Sequence, residues 1–378
     1  MNIQRNKDVI TGVEDLEHLH TFRKFPVFMG CSNKPQSEDI VSDMSYWISR
    51  GSGLIQLNPL LPLDVLYPEA HGSGCVGAAW AKHHQSLAEF IARFEPDSIL
   101  EIGGAHGVLA TNYQSIKGNI PWTILEPNPT PVKGCKAKII KGFFDENFRL
   151  TEVTSAIVHS HVFEHIYDPV QFIKNVAGFL SCGNLLIFSV PNMRVMLERK
   201  FTNCLNFEHT VYLSDIYVDF LLETNGFKII EKKNFLDDHS IFYAANKTSK
   251  SIQKKLPVNI YETNKKLYHD YINFHLKLVE NFNSKINKHK TNNIFLFGAH
   301  VQSQYLIAFG LNLSRIVGIL DNDVKKHGKR LFGTDKMVMS PNYLLNIDSP
   351  LVIIRAGTFT NEIVDQIRII NPTATLLY

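Results

Sequence analysis

Residues 98–110, SILEIGGAHGVLA, run from a short apolar segment into three glycines within five positions, with Glu101 just ahead of them. An apolar run of this length followed by glycines and then a helical pattern reads as a strand, a tight loop and a helix N-terminus. In an open parallel sheet, ligands lie outside the carboxyl ends of the strands, where the chain order reverses. Gly103, Gly104 and Gly107 offer bare backbone there, and backbone N–H groups can approach a ligand when no Cβ intervenes. Glu101 precedes the first glycine, where its charge suits an ammonium or amino group better than a pyrophosphate. A dinucleotide fingerprint and a purely structural turn remain open readings of this loop alone.

The next strand, TILEPN (123–128), carries Glu126 at its carboxyl end with Pro127 after it. An acid about twenty residues past such a loop can accept both hydroxyls of a ribose, so an adenosine-like ligand is expected. The following unit, SAIVHSHVFEHIYDPVQFIKNV (155–176), reads as a strand, a polar loop and a helix opened by Asp168 and Pro169. Apolar runs continue at NLLIFSVPN, KIIEKKNF and SIFYAANK, the last two close enough for an antiparallel hairpin at the end of the sheet. This alternation predicts an α/β fold built on a mostly parallel sheet.

Around this core, the 378 residues imply more than one domain. Residues 1–85 form an N-terminal cap, with a strand at GLIQLN and a helix over AWAKHHQSLAEFIARF on whose surface His83 and His84 are expected to be exposed. Residues 86–247 hold the glycine loop. Residues 248–292 are Lys/Asn-rich with Leu267, Tyr271, Phe274, Leu278 and Phe282 at helical spacing, which predicts a linking helix. Residues 293–378 restart the βα rhythm as a second, smaller α/β domain. A net charge of +3 gives no warrant for a nucleic-acid surface. Five scattered cysteines without a Cys-x-x-Cys fit reduced thiols in a cytoplasmic protein. No window approaches the ~18 apolar residues of a membrane span, so no membrane partner is expected. Nothing in the sequence sets an oligomeric state.

The Glu-x-Gly-x-x-x-Gly loop, the ribose acid and the FEHIYDP loop together resemble the class I S-adenosylmethionine-dependent methyltransferases. The resemblance implies a Rossmann-like domain whose cofactor, S-adenosylmethionine, meets Glu101 at its methionyl amino end, Gly103–Gly107 along its length, and Glu126 with Pro127 at its ribose. LNFEHTVYLSDIYVDFLLETNGFKII (205–230) is similar to a segment of the sugar C-methyltransferases, which act on nucleotide-linked keto-deoxysugars. Similarity extends upstream to LYPEAHGSG and WAKHHQSLAEF, and downstream to GILDNDVKKHGKRLFGT. It covers roughly residues 45 to 370 in matching order. The likeness implies a nucleotide-sugar substrate, His209 as base, Glu208 as its neighbour on the ring or on a sugar hydroxyl, and His165 as a second active-site histidine. Tyr67, His71, Asn206 and Tyr212 are the implied substrate contacts. His159 and His161 flank a strand end and either line the pocket or serve the structure.

Two departures stand out. The family opens with a zinc domain of two Cys-x-x-Cys pairs, but here Ser49 and Ser52 replace one pair and FMGC keeps only Cys31. Hydroxyls are poor substitutes for thiolates, so no zinc is expected there. Asn206 stands where the family has tyrosine, and an amide cannot act as a phenolic acid. Oxygen methylation of a sugar, as in polysaccharide or capsule biosynthesis, is therefore the alternative that the sequence supports almost as well as carbon methylation. An oxidoreductase using NAD(P) on two nucleotide folds and a non-catalytic binding protein are the readings from other classes. The basic run KKHGKR is a candidate contact for a diphosphate or a solvated turn.

Overall fold

The computed structural model describes residues 2–67 and 77–378; His71 lies outside the described residues. The chain divides into two compact units, each threaded by three segments. The first takes the chain up to Glu17, Ile48–Met196 and Glu208–Asn264; the second takes His18–Trp47, Leu197–Phe207 and Lys265–Tyr378.

The first unit is built on seven strands: β1 Ile99–Ile102, β2 Trp122–Glu126, β3 Lys138–Lys141, β4 Ala156–Ser160, β5 Leu185–Pro191, β6 Phe227–Phe235 and β7 Ser240–Lys247. Their order is β3-β2-β1-β4-β5-β7-β6. The five strands from β3 to β5 are parallel, and β7 runs antiparallel between β5 and β6. The expected hairpin therefore exists, with its second strand inserted beside β5. Chain order reverses between β1 and β4, which is the switch point where a ligand belongs.

The central strands are nearly continuous in Ile, Leu and Val because helices cover them. On one side, helix α1 (Ala78–Ala92) and helix α2 (Val108–Lys117) bury Phe90, Ile91, Leu109 and Tyr113 against Ile99, Trp122, Ile124 and Val158. Helix α3 (Pro169–Phe179) starts where the sequence predicts. Asp168 accepts a hydrogen bond from the Gln171 N–H, and Pro169 occupies the first turn.

In the second unit, β8 Ile294–Phe297, β9 Ile316–Leu320, β10 Val338–Met339, β11 Leu351–Ile354 and β12 Thr375–Leu377 form a parallel sheet in the order β10-β9-β8-β11-β12. This repeats the 3-2-1-4-5 order of the first unit. Strands Leu16–Pro26 and Val41–Ser49 pair alongside each other, mostly within this unit. One buried ion pair closes it: Asp39 accepts both guanidinium prongs of Arg330 at 2.6 Å, with the two side chains 3% and 9% exposed.

The helix expected over 248–292 spans Ile260–Lys288; of its expected stripe Tyr271 and Phe282 are buried and Leu267 and Leu278 half-buried, but the seam is turned away from Phe274. Tyr268, Ile272, His275, Val279, Phe282 and Ile286 are inside, whereas Phe274 is exposed. The true seam includes a histidine, which a hydrophobicity pattern does not count. His275 settles there by stacking on Phe309. Ser49, at the end of its strand, and Ser52, in the turn that follows, stand at the degenerate zinc position and are buried. Ser49 Oγ donates to Asp15 and accepts from the Ser52 N–H, and Ser52 Oγ accepts from the Leu54 N–H. No helix among the described residues is long and apolar enough to cross a membrane.

Candidate active site

At the end of β1 the chain turns through Gly103 and Gly107, both at positive φ, with Gly107 as the left-handed N-cap of α2. These glycines are required by the protein's own packing. A Cβ on Gly103 would lie 2.6 Å from Val162 Cγ2, one on Gly104 2.7 Å from Ile124 Cγ2 and 2.9 Å from Glu101 Oε1, and one on Gly107 2.5 Å from Cys135 Sγ. The loop is held flat from outside: the Thr130 N–H donates to the Ala105 carbonyl and the Val132 N–H to that of His106.

Glu101 is 2% exposed, directly under Gly104, and accepts one hydrogen bond from Trp122 Nε1 at 2.8 Å. Burial pushes its carboxyl up to about 7, against the opposing effect of Trp122 and with a further push from Glu126. A carboxyl in this state gains by meeting a cation. Glu126 bridges the loop to its own turn: Oε2 accepts from the Ala105 N–H at 3.1 Å and Oε1 from the Asn128 N–H at 3.0 Å. Each oxygen retains a lone pair for a further donor. Pro127 follows, half-buried.

On the other side of the switch point, β4 ends at Ser160. His161 takes a positive φ and a 3₁₀ turn spans Phe163–His165. Val162 fills the space over Gly103, so this turn and the glycine loop share a wall. Tyr67 Oη lies 3.1 Å from His165 Nδ1, and the rings of His165 and His209 approach to 4.9 Å between centroids. Three segments far apart in sequence thus converge. Burial, then the neighbouring His209, pushes His165 down to about 4, so it is a neutral imidazole at pH 7. Burial also holds the Tyr67 phenol protonated, with the charge of Glu208 adding to the effect. Glu164 is 1% exposed beside both histidines, and burial raises its carboxyl while their charges oppose.

Arg5, which no motif marks, ties the two histidine segments together. Its guanidinium donates to the Tyr167 carbonyl at 2.5 Å and to the Thr210 carbonyl at 3.2 Å, one residue past His209. It is buried, which pushes it down to about 10, though Tyr167 and Asp168 oppose.

The remaining predicted residues distribute differently. Glu208 is buried and acts electrostatically on Tyr67 and His165. Tyr212 is a core residue, 1% exposed, whose N–H donates to the Ile55 carbonyl. Asn206 is buried and belongs to the second unit. His159 is a core histidine stacked on Phe188, and burial pushes it down to about 3. His83, expected on the surface of α1, is fully buried, because the turn after β6 and the loop after β4 cover that face of the helix with His239 and His161. Of the basic run, Arg330 is committed to Asp39, and Lys326 Nζ lies 3.1 Å from Asp321.

Residues 78–232 match a family model described as a methyltransferase domain. No curated protein matches the chain by sequence. Among solved structures, an O-methyltransferase family protein from Burkholderia thailandensis is similar at 10% identity over 44% of this chain and 56% of its own, with a TM-score of 0.36. The chain therefore spans about half the length of that relative. Mitomycin 7-O-methyltransferase is similar at 14% identity over 45% of this chain and 56% of its own, TM-score 0.36. The magnesium protoporphyrin IX methyltransferase of Synechocystis PCC 6803, solved with bound SAH, is similar at 12% identity over 45% of this chain and 84% of its own, TM-score 0.36.

Proposed function

From the match of residues 78–232 to a methyltransferase domain, we propose that the protein uses S-adenosylmethionine to methylate a sugar, most simply a nucleotide-linked keto-deoxysugar, with His209 as the base. The single observation that carries the reading is the 4.9 Å approach of His209 to His165, itself hydrogen-bonded to Tyr67, at the carboxyl ends of the strands flanking the switch point. The residues present fit the donor. Glu101 is a buried carboxyl whose ionised form needs a cationic partner, and Glu126 keeps lone pairs for two hydroxyls.

S-adenosylmethionine supplies an electrophilic methyl group on a sulfonium. The chain's part is to hold the acceptor in line and remove its proton. His209 takes the proton from the acceptor's C–H or O–H. The electron pair left on that atom forms the new bond to the methyl carbon, and the carbon–sulfur pair stays with sulfur. Neutral His165 and the protonated Tyr67 phenol share one proton in the bond between them, which leaves one N–H or O–H to donate to an oxygen on which charge develops, and a preorganised donor of this kind typically contributes about 10²–10³-fold in rate. Tyr67 supplies a phenol to this site, whereas the sequence position of the resembling family's tyrosine is held by Asn206.

Purified protein with labelled S-adenosylmethionine and a panel of dTDP- and GDP-linked sugars, 4-keto forms included, tests the reading. Transfer abolished by His209→Ala is expected, and no transfer to any member of the panel would overturn the sugar assignment. Asn206 favours a second reading, transfer to a sugar hydroxyl. Deuterium exchange alpha to the keto group separates the two, since only carbon methylation requires it.

A further inference from the structure

His83 sits in the middle of α1, fully buried, and neither of its ring nitrogens has a hydrogen-bond partner among the described residues. Leaving a buried polar group unsatisfied costs about 1–3 kcal/mol, so such a residue calls for an explanation. Its surroundings are imidazoles. The His161 ring lies 5.1 Å away and that of His239 5.4 Å away in a stacked orientation, with His84 also at 5.4 Å. Trp80, Phe235 and Phe242 complete the wall. His161 Nε2 and His239 Nδ1 converge on the Ser240 hydroxyl at 2.7 and 2.6 Å. One ring nitrogen from each of His83, His161 and His239 lies within 4.8 Å of the others.

The far side of His161 supplies a second sign. Its Nδ1 is 2.9 Å from Oε1 of Glu164, a carboxylate with no exposed side-chain surface. Metal-binding histidines characteristically donate their other ring N–H to a carboxylate, which fixes the tautomer and makes the ligating nitrogen more basic. The 2.9 Å contact is not aligned as a hydrogen bond in this structure; a turn of the ring would bring Nδ1–H onto Glu164 and leave Nε2, now beside Ser240 Oγ, with the lone pair facing the cluster.

We propose that His83, His161 and His239 form a binding site for a divalent transition-metal ion of the zinc class, with Glu164 as the carboxylate that orients His161. A tetrahedral zinc with Zn–N bonds of about 2.0–2.1 Å brings its ligand nitrogens to about 3.4 Å from one another, a contraction that ring rotations supply. All three ligands are imidazole, which suits zinc and its borderline neighbours; calcium and magnesium take oxygen donors. The fourth position falls to the Ser240 hydroxyl or a water. The three ligands come from α1, the loop after β4 and the β6–β7 turn, so the ion would fasten these elements to one another. It would also hold Glu164 beside His165 and His209.

The test uses the full chain, stripped with a chelator and titrated with zinc or cobalt(II). We expect one metal per chain by mass spectrometry of the dialysed protein, a rise in the unfolding temperature with zinc, and the intense visible bands of tetrahedral cobalt. His83→Gln and His239→Gln should each weaken uptake at least 100-fold, while His269→Gln, on an exposed face of its helix, should not change it. X-ray absorption on the wild-type zinc form should count three imidazole nitrogens, a readout independent of whether the variants fold. Uptake well below one equivalent, fewer than three imidazoles, or uptake that survives His83→Gln but is lost in His209→Gln would overturn the assignment.

Discussion

Glu126 and Asp321 occupy the same place in two sheets of the same strand order, and their backbone bonds match. Glu126 accepts from Ala105 in the loop after β1 and from Asn128 two residues on; Asp321 accepts from Ala299 in the loop after β8 and from Asp323 two residues on. What differs is who answers the remaining charge. Lys326 Nζ lies 3.1 Å from Asp321 and helps hold its carboxyl below the usual range, against the upward push of burial. Among the described residues Glu126 has no ion pair. The following helices diverge in the same sense. Gly107 caps α2 with no side chain, whereas the His300 imidazole caps Val301–Ala308 and Ser303 Oγ donates to the Gly298 carbonyl. The loop after β1 carries no capping side chain, and the loop after β8 is filled by its own side chains. The difference teaches that a nucleotide-binding topology is not yet a nucleotide site.

The largest effect that would sharpen this contrast is on stability. Asp39→Ala leaves the buried Arg330 guanidinium uncompensated, and denaturant unfolding should show a loss of about 3–5 kcal/mol with affinity for S-adenosylhomocysteine unchanged within about twofold. Next comes the pair of acids. Glu126→Ala removes a charged acceptor, worth about 1.5–3 kcal/mol in such bonds, so calorimetric affinity for S-adenosylhomocysteine should fall by about 10–100-fold. Asp321→Ala should leave that affinity intact, and equal losses in the two variants would break the comparison.

The third prediction concerns pH. Glu101 rises from 4.5 in the unfolded chain to about 7 when folded. Its contribution to stability of the cofactor-free protein is therefore fully present below 4.5 and lost as pH climbs through about 7. Binding of an ammonium-bearing ligand runs the opposite way, because the carboxylate is the binding form. Affinity for S-adenosylhomocysteine should tighten by up to about tenfold per pH unit below 7 and level off above it; Glu101→Gln should flatten both profiles. The smallest effect is that of His300→Ala. Removing this cap should cost about 1 kcal/mol in thermal unfolding and confer no second S-adenosylhomocysteine site.

Much of this arrangement was legible in the sequence because backbone position dictates residue type there. Apolar runs mark β1, β2, β4 and β5, the acid closing β2 is visible at Glu126, and Asp168-Pro169 announces α3. The glycines were readable as a loop, but the reason for them was not: Val162, Ile124 and Cys135, which a Cβ would strike, come from other strands and turns. His83 was misread for a related cause. On α1 alone it looks like a solvent-facing neighbour of His84, and its burial depends on His239, a residue of a distant hairpin. Arg5 carried no local signal, since its partners at Tyr167 and Thr210 are brought to it only by the finished fold.

The threading of the two units bears on how the chain can be made and cut. Each unit interleaves segments of the other, so neither corresponds to a contiguous stretch that could be cloned by itself. During synthesis, the strands around Leu16–Pro26 and Val41–Ser49 emerge long before the carboxyl-terminal partners of their unit. Contacts between residues so remote in sequence close slowly. The early strands can pair with one another at once, but the rest of their unit's core closes only when the last strands have been made.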